Sequence, residues 1–462
     1  MKRFTKILIC LMLFVVGFAF VACDNRTTKE KNFVYPSRND QVIGNGGLAV
    51  KKGNYLYFVN GFRSVDDISN KKASYTVGSL LLMKLGENGE VVTDEDGLLK
   101  DEYYITMSSA LCGYEATNLF IFGDYLYFVS PCLENESGDK VWAKERVVFN
   151  RIKLDKTGKV ETVYESGVKY DQLEYEFYQE NSSLYILAWE KGDSYYNNSG
   201  KNALIRINAT SKSNSKISNN VSSVVFGENA NEIFYVEDDS ENSSYYLKQY
   251  NIANNETTDY TSFDKTITAK FVADDKVYIT KAHDYGSSTD LLVSNISNVS
   301  GFELVYAFEA DADLKITPDG RAIVMAQEKT ISLIRKDEEV VTIVDEDATA
   351  ISVIGFTNGC VVYYDTKDDN STIKCVSYDN MINDGTAEIE TLTTVEAFEE
   401  DTTYFDISSD DSYIYFYNME GSHYYLFRLE VKNNLDEKEE MIGVYLEEDA
   451  PEIEEDSQEE EE

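Results

Sequence analysis

After residue 32 the chain is built of short apolar and aromatic runs set between polar turns, with no long stretch carrying the spacing of an amphipathic helix. Tyr and β-branched residues dominate these runs, and Gly, Asn and Asp dominate the breaks, the pattern expected of short strands joined by tight turns. One phrase recurs eight times. It reads Gly53-Asn54-Tyr55-Leu56-Tyr57-Phe58 at its first occurrence and Gly123-Asp124-Tyr125-Leu126-Tyr127-Phe128 at its clearest. The positions equivalent to Leu56 are Leu126, Leu184, Ile233, Val277, Ile323, Val361 and Ile414, spaced 38 to 70 residues apart. The position after each is aromatic or β-branched in every copy: Tyr57, Tyr127, Tyr185, Phe234, Tyr278, Val324, Val362 and Tyr415.

Around each phrase the same order can be read: a strand, a turn, the phrase strand, a variable polar loop, a third strand, a turn and a fourth strand. In the second copy these are 117–122, 125–129, 147–154 and 160–164; in the eighth, 404–407, 413–417, 424–431 and 441–446. Four strands in that length is one propeller blade, whose two faces gain a core only when blades stack around an axis. The expected fold class is all-β, a single β-propeller of four-stranded blades over residues 40–446. It has eight blades, or seven if the copy at Ile323, which lacks aromatics, is degenerate. The repeated tyrosines are expected to be packing residues.

Val277-Tyr278-Ile279-Thr280 resembles the YWTD phrase of propellers related to lipoprotein receptors. Ile316-Thr317-Pro318-Asp319-Gly320-Arg321 resembles the S-P-D-G turn of TolB-like and WD40-like propellers. The resemblance implies architecture and carries no catalytic residue.

The two ends differ from the body. Lys2, Arg3 and Lys6 precede an uncharged apolar run, Ile7 to Ala22, which is too short for an easy membrane span and has the layout of a signal peptide. Phe20-Val21-Ala22-Cys23 resembles the bacterial lipobox, with Phe20 departing from the usual Leu. The resemblance implies cleavage after residue 22 and lipidation of Cys23, which would anchor the body to a membrane from the extracytoplasmic side. Residues 23–39 are a polar tether. At the other end, 11 of the 16 residues from 447 to 462 are acidic, an expected disordered and solvating tail.

Formal net charge is −41, a field that repels nucleic acid and anionic lipid and so disfavours a nucleic-acid-binding role. Cys112, Cys132, Cys360 and Cys375 are too few and too dispersed for a disulfide scaffold, and no C-x-x-C occurs. Cys360 and Cys375 fall on neighbouring strands of one hairpin. A cross-strand disulfide and two buried free thiols are both open.

Little else carries chemistry. The two histidines, His283 and His423, fall in expected loops, and H-E-x-x-H and a phosphate-binding glycine loop are absent. Gly44-Asn45-Gly46-Gly47 reads as a flexible lead into the first blade. Acidic clusters at Glu237-Asp238-Asp239 with Glu241, at Asp365 with Asp368-Asp369, and at Asp410-Asp411 read as solvated loop charge. Weak Ca²⁺ binding is the only cofactor they suggest. Glu309, Asp311 and Asp313 alternate, as on one face of a strand. A binding face is expected in the loops after the second strands: 60–75, 133–146, 191–202 and 283–289.

The functional expectation is a membrane-anchored, extracytoplasmic interaction protein that presents a propeller face to an envelope protein or glycan. Two alternatives stand beside it. One is a polysaccharide- or cell-wall-acting hydrolase or lyase, which an axial pocket with two perturbed carboxylates would favour. The other is an accessory subunit of an envelope complex, which an exposed apolar patch would favour.

Overall fold

The computed structural model describes residues 36–59, 80–87, 89–91, 103–107, 118–130, 132–134, 140–142, 147–154, 160–168, 172–180, 182–193, 201–226, 232–239, 241–283, 288–298, 301–309, 312–336, 338–367, 370–396, 408–409, 413–420, 423–431 and 440–442. Among them, eight antiparallel sheets follow one another along the chain, seven of four strands and one of five, together forming a β-propeller.

Blade 1 is Ala49–Lys52, Tyr55–Val59, Leu80–Lys84 and Tyr103–Met107, with the two-residue strand Val42–Ile43 added at its inner edge. Blade 2 is Phe120–Phe122, Tyr125–Ser130, Val148–Lys153 and Val160–Glu165. Between its second and third strands a separate hairpin, Cys132–Glu134 with Lys140–Trp142, is inserted. Blades 3 and 4 run Leu173–Glu180, Ser183–Asp193, Lys201–Asn208, Ser213–Ser218, then Val221–Phe226, Glu232–Asp239, Ser244–Asn251, Glu256–Phe263. Blade 5 is Ile267–Ala273, Lys276–Ala282, Ser288–Asn295 and Glu303–Glu309; blade 6 is Asp313–Ile316, Ile323–Gln327, Thr330–Ile334 and Val341–Val344. Blade 7 is Ile351–Thr357, Cys360–Lys367, Asn370–Ser377 and Ile389–Glu396, with helix α1, Tyr378–Asp384, joining its last two strands. Blade 8 is Ser408–Ser409, Tyr413–Glu420, His423–Glu430 and Glu440–Met441. The copy at Ile323, without aromatics, is a complete blade: Ile323, Val324, Met325 and Ala326 are all buried.

The core lies between sheets rather than at one centre. Distinct clusters join blades 2 to 3, 3 to 4, 4 to 5, 5 to 6, 6 to 7 and 7 to 8. One further cluster contains blade 1 with Leu126 and Phe128 of blade 2 on one side and Tyr415, Tyr417 and Leu426 of blade 8 on the other, which closes the ring. The Leu56 position supplies a side chain at most 4% exposed in all eight copies. Each such burial contributes about 1.5–3 kcal/mol. The first strands of blades 4 to 8 neighbour one another in turn, so they are the innermost strands around the axis.

Polar side chains stitch the junctions. Asn45 accepts from the Ile121 backbone N–H at 2.7 Å and donates to its carbonyl at 3.0 Å, while the Gly46 N–H donates to Leu119. The Gly44–Gly47 segment is therefore a fixed join between blades 1 and 2, not a loose lead. Arg151 and Arg428 sit opposite the repeat tyrosines Tyr127 and Tyr415, each over the preceding ring, at 4.3 Å from Tyr125 and 4.4 Å from Tyr413. Each donates to the next blade, Arg151 to Ala209 O and Arg428 to Gly89 O. Glu190, fully buried, accepts from Ser166 Oγ and Gly167 N at 2.9 Å each, fixing the passage from blade 2 to blade 3.

Candidate functional site

The antiparallel meander sorts the connections by end. Turns between first and second strands, and between third and fourth, lie at one end of every blade; loops after the second strand lie at the other. The sequence pointed to the second end. Of its four loops, 60–75 lies outside the described residues, and the others are described only in part. Two open clefts lined by described residues lie at the first end.

One cleft, about 400 Å³, opens between blades 5 and 6. The ends of blade 5 strands bring Lys276, Tyr278 and Glu303 to it, and the turns of blade 6 bring Arg321, Arg335 and Lys336. Tyr278 shows what is unusual here. At its repeat position six of the eight residues are buried, but Tyr278 and Tyr185 are only half-buried. Tyr185 lies under the Arg206 guanidinium at 4.1 Å; Tyr278 packs on Phe271 at 4.7 Å and faces the cleft. The expectation that this position is core holds for most copies and fails at the cleft.

The turn resembling S-P-D-G builds the cleft's rim. Thr317 Oγ1 donates to Asp319 Oδ1 at 2.7 Å, the Arg321 N–H donates to the same oxygen at 3.1 Å, and Gly320 takes φ +69, a conformation that a side chain would strain. Asp319 then holds the Arg321 guanidinium, whose other end pairs with Asp379 at the start of α1 in blade 7.

Asp379 lines the second cleft, about 640 Å³, at the blade 7 end facing blade 8. Its wall carries Cys360, Cys375, Asp384, Glu388 and Glu390, so it is acidic where its neighbour is cationic. Cys360 pairs in register with Ser377 and Cys375 with Val362, which makes the two cysteines diagonal neighbours. Both are buried, and each stands as a free thiol in this structure. A hydrogen bond between the two thiols lowers the pKa of Cys360 and raises that of Cys375, and burial adds to the rise.

Other sequence candidates fall apart in space. Glu309 ends blade 5 and Asp313 begins blade 6, where Asp313 Oδ2 accepts from the Val353 N–H at 3.1 Å, so they share no strand; Asp311 lies outside the described residues. Asp365 is not solvated loop charge. It is 3% exposed, and Lys374 lies between it and Asp345 at 2.8 Å from each. Glu237 is paired with Lys248 at 3.1 Å, and Asp239 holds the turn at Asn242. Among the described residues no group of three His, Cys, Asp or Glu side chains is placed to hold a metal ion. His283 Nε2 lies 2.8 Å from Asp290 Oδ1 in the blade 5 hairpin, and His423 begins a strand rather than a loop.

Near the axis one carboxylate stands out that no sequence pattern marks. Glu176, on the innermost strand of blade 3, is open to water yet hemmed in by protein, and desolvation pushes its carboxyl up to about 7. Cys23, the signal-peptide-like segment 1–22, Cys112, Asp368-Asp369, Asp410-Asp411 and the acidic tail 447–462 lie outside the described residues.

No family model matches the chain, and no curated protein does. Among solved structures, TolB from Acinetobacter baumannii is similar over 66% of this chain and 77% of that one, with 10% identity and a TM-score of 0.37. The β-propeller domain of the Trilobed protease from Pyrococcus furiosus is similar over 70% of this chain and 97% of that one, with 11% identity and a TM-score of 0.45. Porphyromonas gingivalis dipeptidyl peptidase 4 is similar over 88% of this chain, which spans 60% of that enzyme, with 10% identity and a TM-score of 0.48. At these values the likeness is one of architecture, and no activity passes from these proteins to this chain.

Proposed function

We propose that this protein is a membrane-anchored, extracytoplasmic binding protein whose propeller holds an envelope protein or glycan at the turn-bearing end of blades 5 to 7. The observation that carries the reading is the pair of adjacent clefts of opposite charge, joined by the Arg321–Asp379 ion pair. A rigid surface with charges of both signs at fixed places discriminates between partners by electrostatic complementarity. The lipobox-like Cys23 supplies the anchor in this reading.

The accessory-subunit alternative called for an exposed apolar patch. The large exposed hydrophobics among the described residues are Leu304 and Val344, single residues of an ordinary kind. Glu176 is the feature that favours the hydrolase or lyase alternative, as one raised carboxylate near the axis.

The test is recovery of partners from solubilised envelopes with the full-length wild-type chain and with Arg321→Glu, which reverses the charge between the clefts. Reproducible recovery of one partner by the wild type and its loss in the variant supports the reading. Equal recovery by both contradicts it.

A further inference from the structure

The cleft between blades 5 and 6 runs against the character of the whole chain. Acidic residues outnumber Lys and Arg by 83 to 42, yet four cations line this cleft against one carboxylate, Glu303. Three of the four are held in place. Arg321 is clamped by Asp319 and Asp379, Arg335 pairs with Glu338 at 2.7 Å, and Lys336 pairs with Glu303 across the mouth. Lys276 is different. It comes in at the start of the blade 5 strand on the same side as Tyr278, and no hydrogen bond or ion pair engages its side chain among the described residues.

Asp319, Asp379, Glu338 and Glu303 already pair with the three fixed cations, and Asp274 stands beside Gly320 at the rim, so the charge left to meet an incoming anion in this low-dielectric cleft is the Lys276 ammonium. At about 400 Å³ the space suits a small molecule or one residue of a larger one. We infer that this cleft is an anion site, which takes a carboxylate or phosphate group on Lys276, with Arg321 and Arg335 in the same wall and the Tyr278 ring as its floor. The inference rests on the proposed binding role of this end of the propeller and gives the chemistry of the group it recognises.

Full-length protein in detergent is titrated by calorimetry with inorganic phosphate and, separately, with acetate, at constant ionic strength set by chloride. Saturable binding of either anion is expected, and which one binds separates phosphate from carboxylate. Lys276→Gln should weaken it roughly tenfold, the loss of one charge-assisted hydrogen bond, while Lys84→Gln on exposed blade 1 surface should not. Unchanged melting temperature would show that the variant is folded. Absence of saturable binding by both anions, or equal binding by wild type and Lys276→Gln, would overturn the inference. Should partner recovery still depend on Arg321 in that event, the binding role stands and only the anion site fails.

Discussion

At the residue scale, the informative side chains are those whose surroundings are assembled from separate segments of the chain. Lys374 is the clearest case. Desolvation alone would lower its pKa, but hydrogen bonds and charge from Asp345 and Asp365 outweigh it and raise the pKa above its ordinary value. Lys374→Met would leave two carboxylates buried without a counter-charge and should destabilise the protein by about 3–5 kcal/mol. Denaturant unfolding measures it, and a loss below about 1 kcal/mol would show that the cluster is not closed as described. Glu176 gives a pH-dependent prediction of opposite cause. Its carboxyl holds a proton to about pH 7 in the folded chain and to 4.5 when unfolded, so folding becomes less favourable as pH rises through that window, then levels off. Water at the side chain reduces the penalty below the full shift. Glu176→Gln should therefore melt higher than the parent at about pH 8 and at the same temperature at about pH 4. The sequence concealed both residues for one reason. Asp365 lies next to Asp368-Asp369 and reads as loop charge because Asp345, which comes from the connection between blades 6 and 7, is distant in sequence. Glu176 is one carboxylate among 83 acidic residues until its strand is known to be innermost.

At the scale of the elements, the chain was largely legible. A phrase that places Leu126 in one inter-sheet core and Tyr127 in the next has to repeat wherever blades stack, and so the second strands stand where the repeat puts them. Fourth strands were harder to read, because their outer edges face water and they carry fewer apolar positions, as in Glu256–Phe263 and Ser213–Ser218. Turn chemistry was also legible. Asn358-Gly359 takes φ +46 and +75, the left-handed pair that a two-residue hairpin demands, and a Cβ on Gly359 would stand 2.7 Å from Asp379 Oδ2. Gly359→Ala is expected to destabilise the protein by about 1–3 kcal/mol through backbone strain and the displaced carboxylate, and to loosen the Arg321–Asp379 pair. Asn358→Ala, which loses the bond to Val431 O, should cost less, about 1 kcal/mol. Thermal melts of the two variants decide the order; a reversed order would mean that the turn is not under the constraint described.

At the scale of the whole molecule, the closed ring lets loops at either end vary without cost to the core, and fold alone does not choose the working end. Loop length drew the sequence reading to one end, whereas the charged clefts are made at the other by short turns whose side chains reach between blades. Their meeting depends on blade-to-blade geometry, and a linear pattern does not contain it. The central claim is that the turn-bearing end of blades 5 to 7 is the binding face. A photo-crosslinking amino acid placed in turn at exposed Asn295 and Asn380, on that face, and at exposed Asn242 and His283, on the opposite one, tests it in intact cells. The account predicts one discrete adduct from the Asn295 and Asn380 positions and none from the other two; adducts from Asn242 or His283 alone would contradict it.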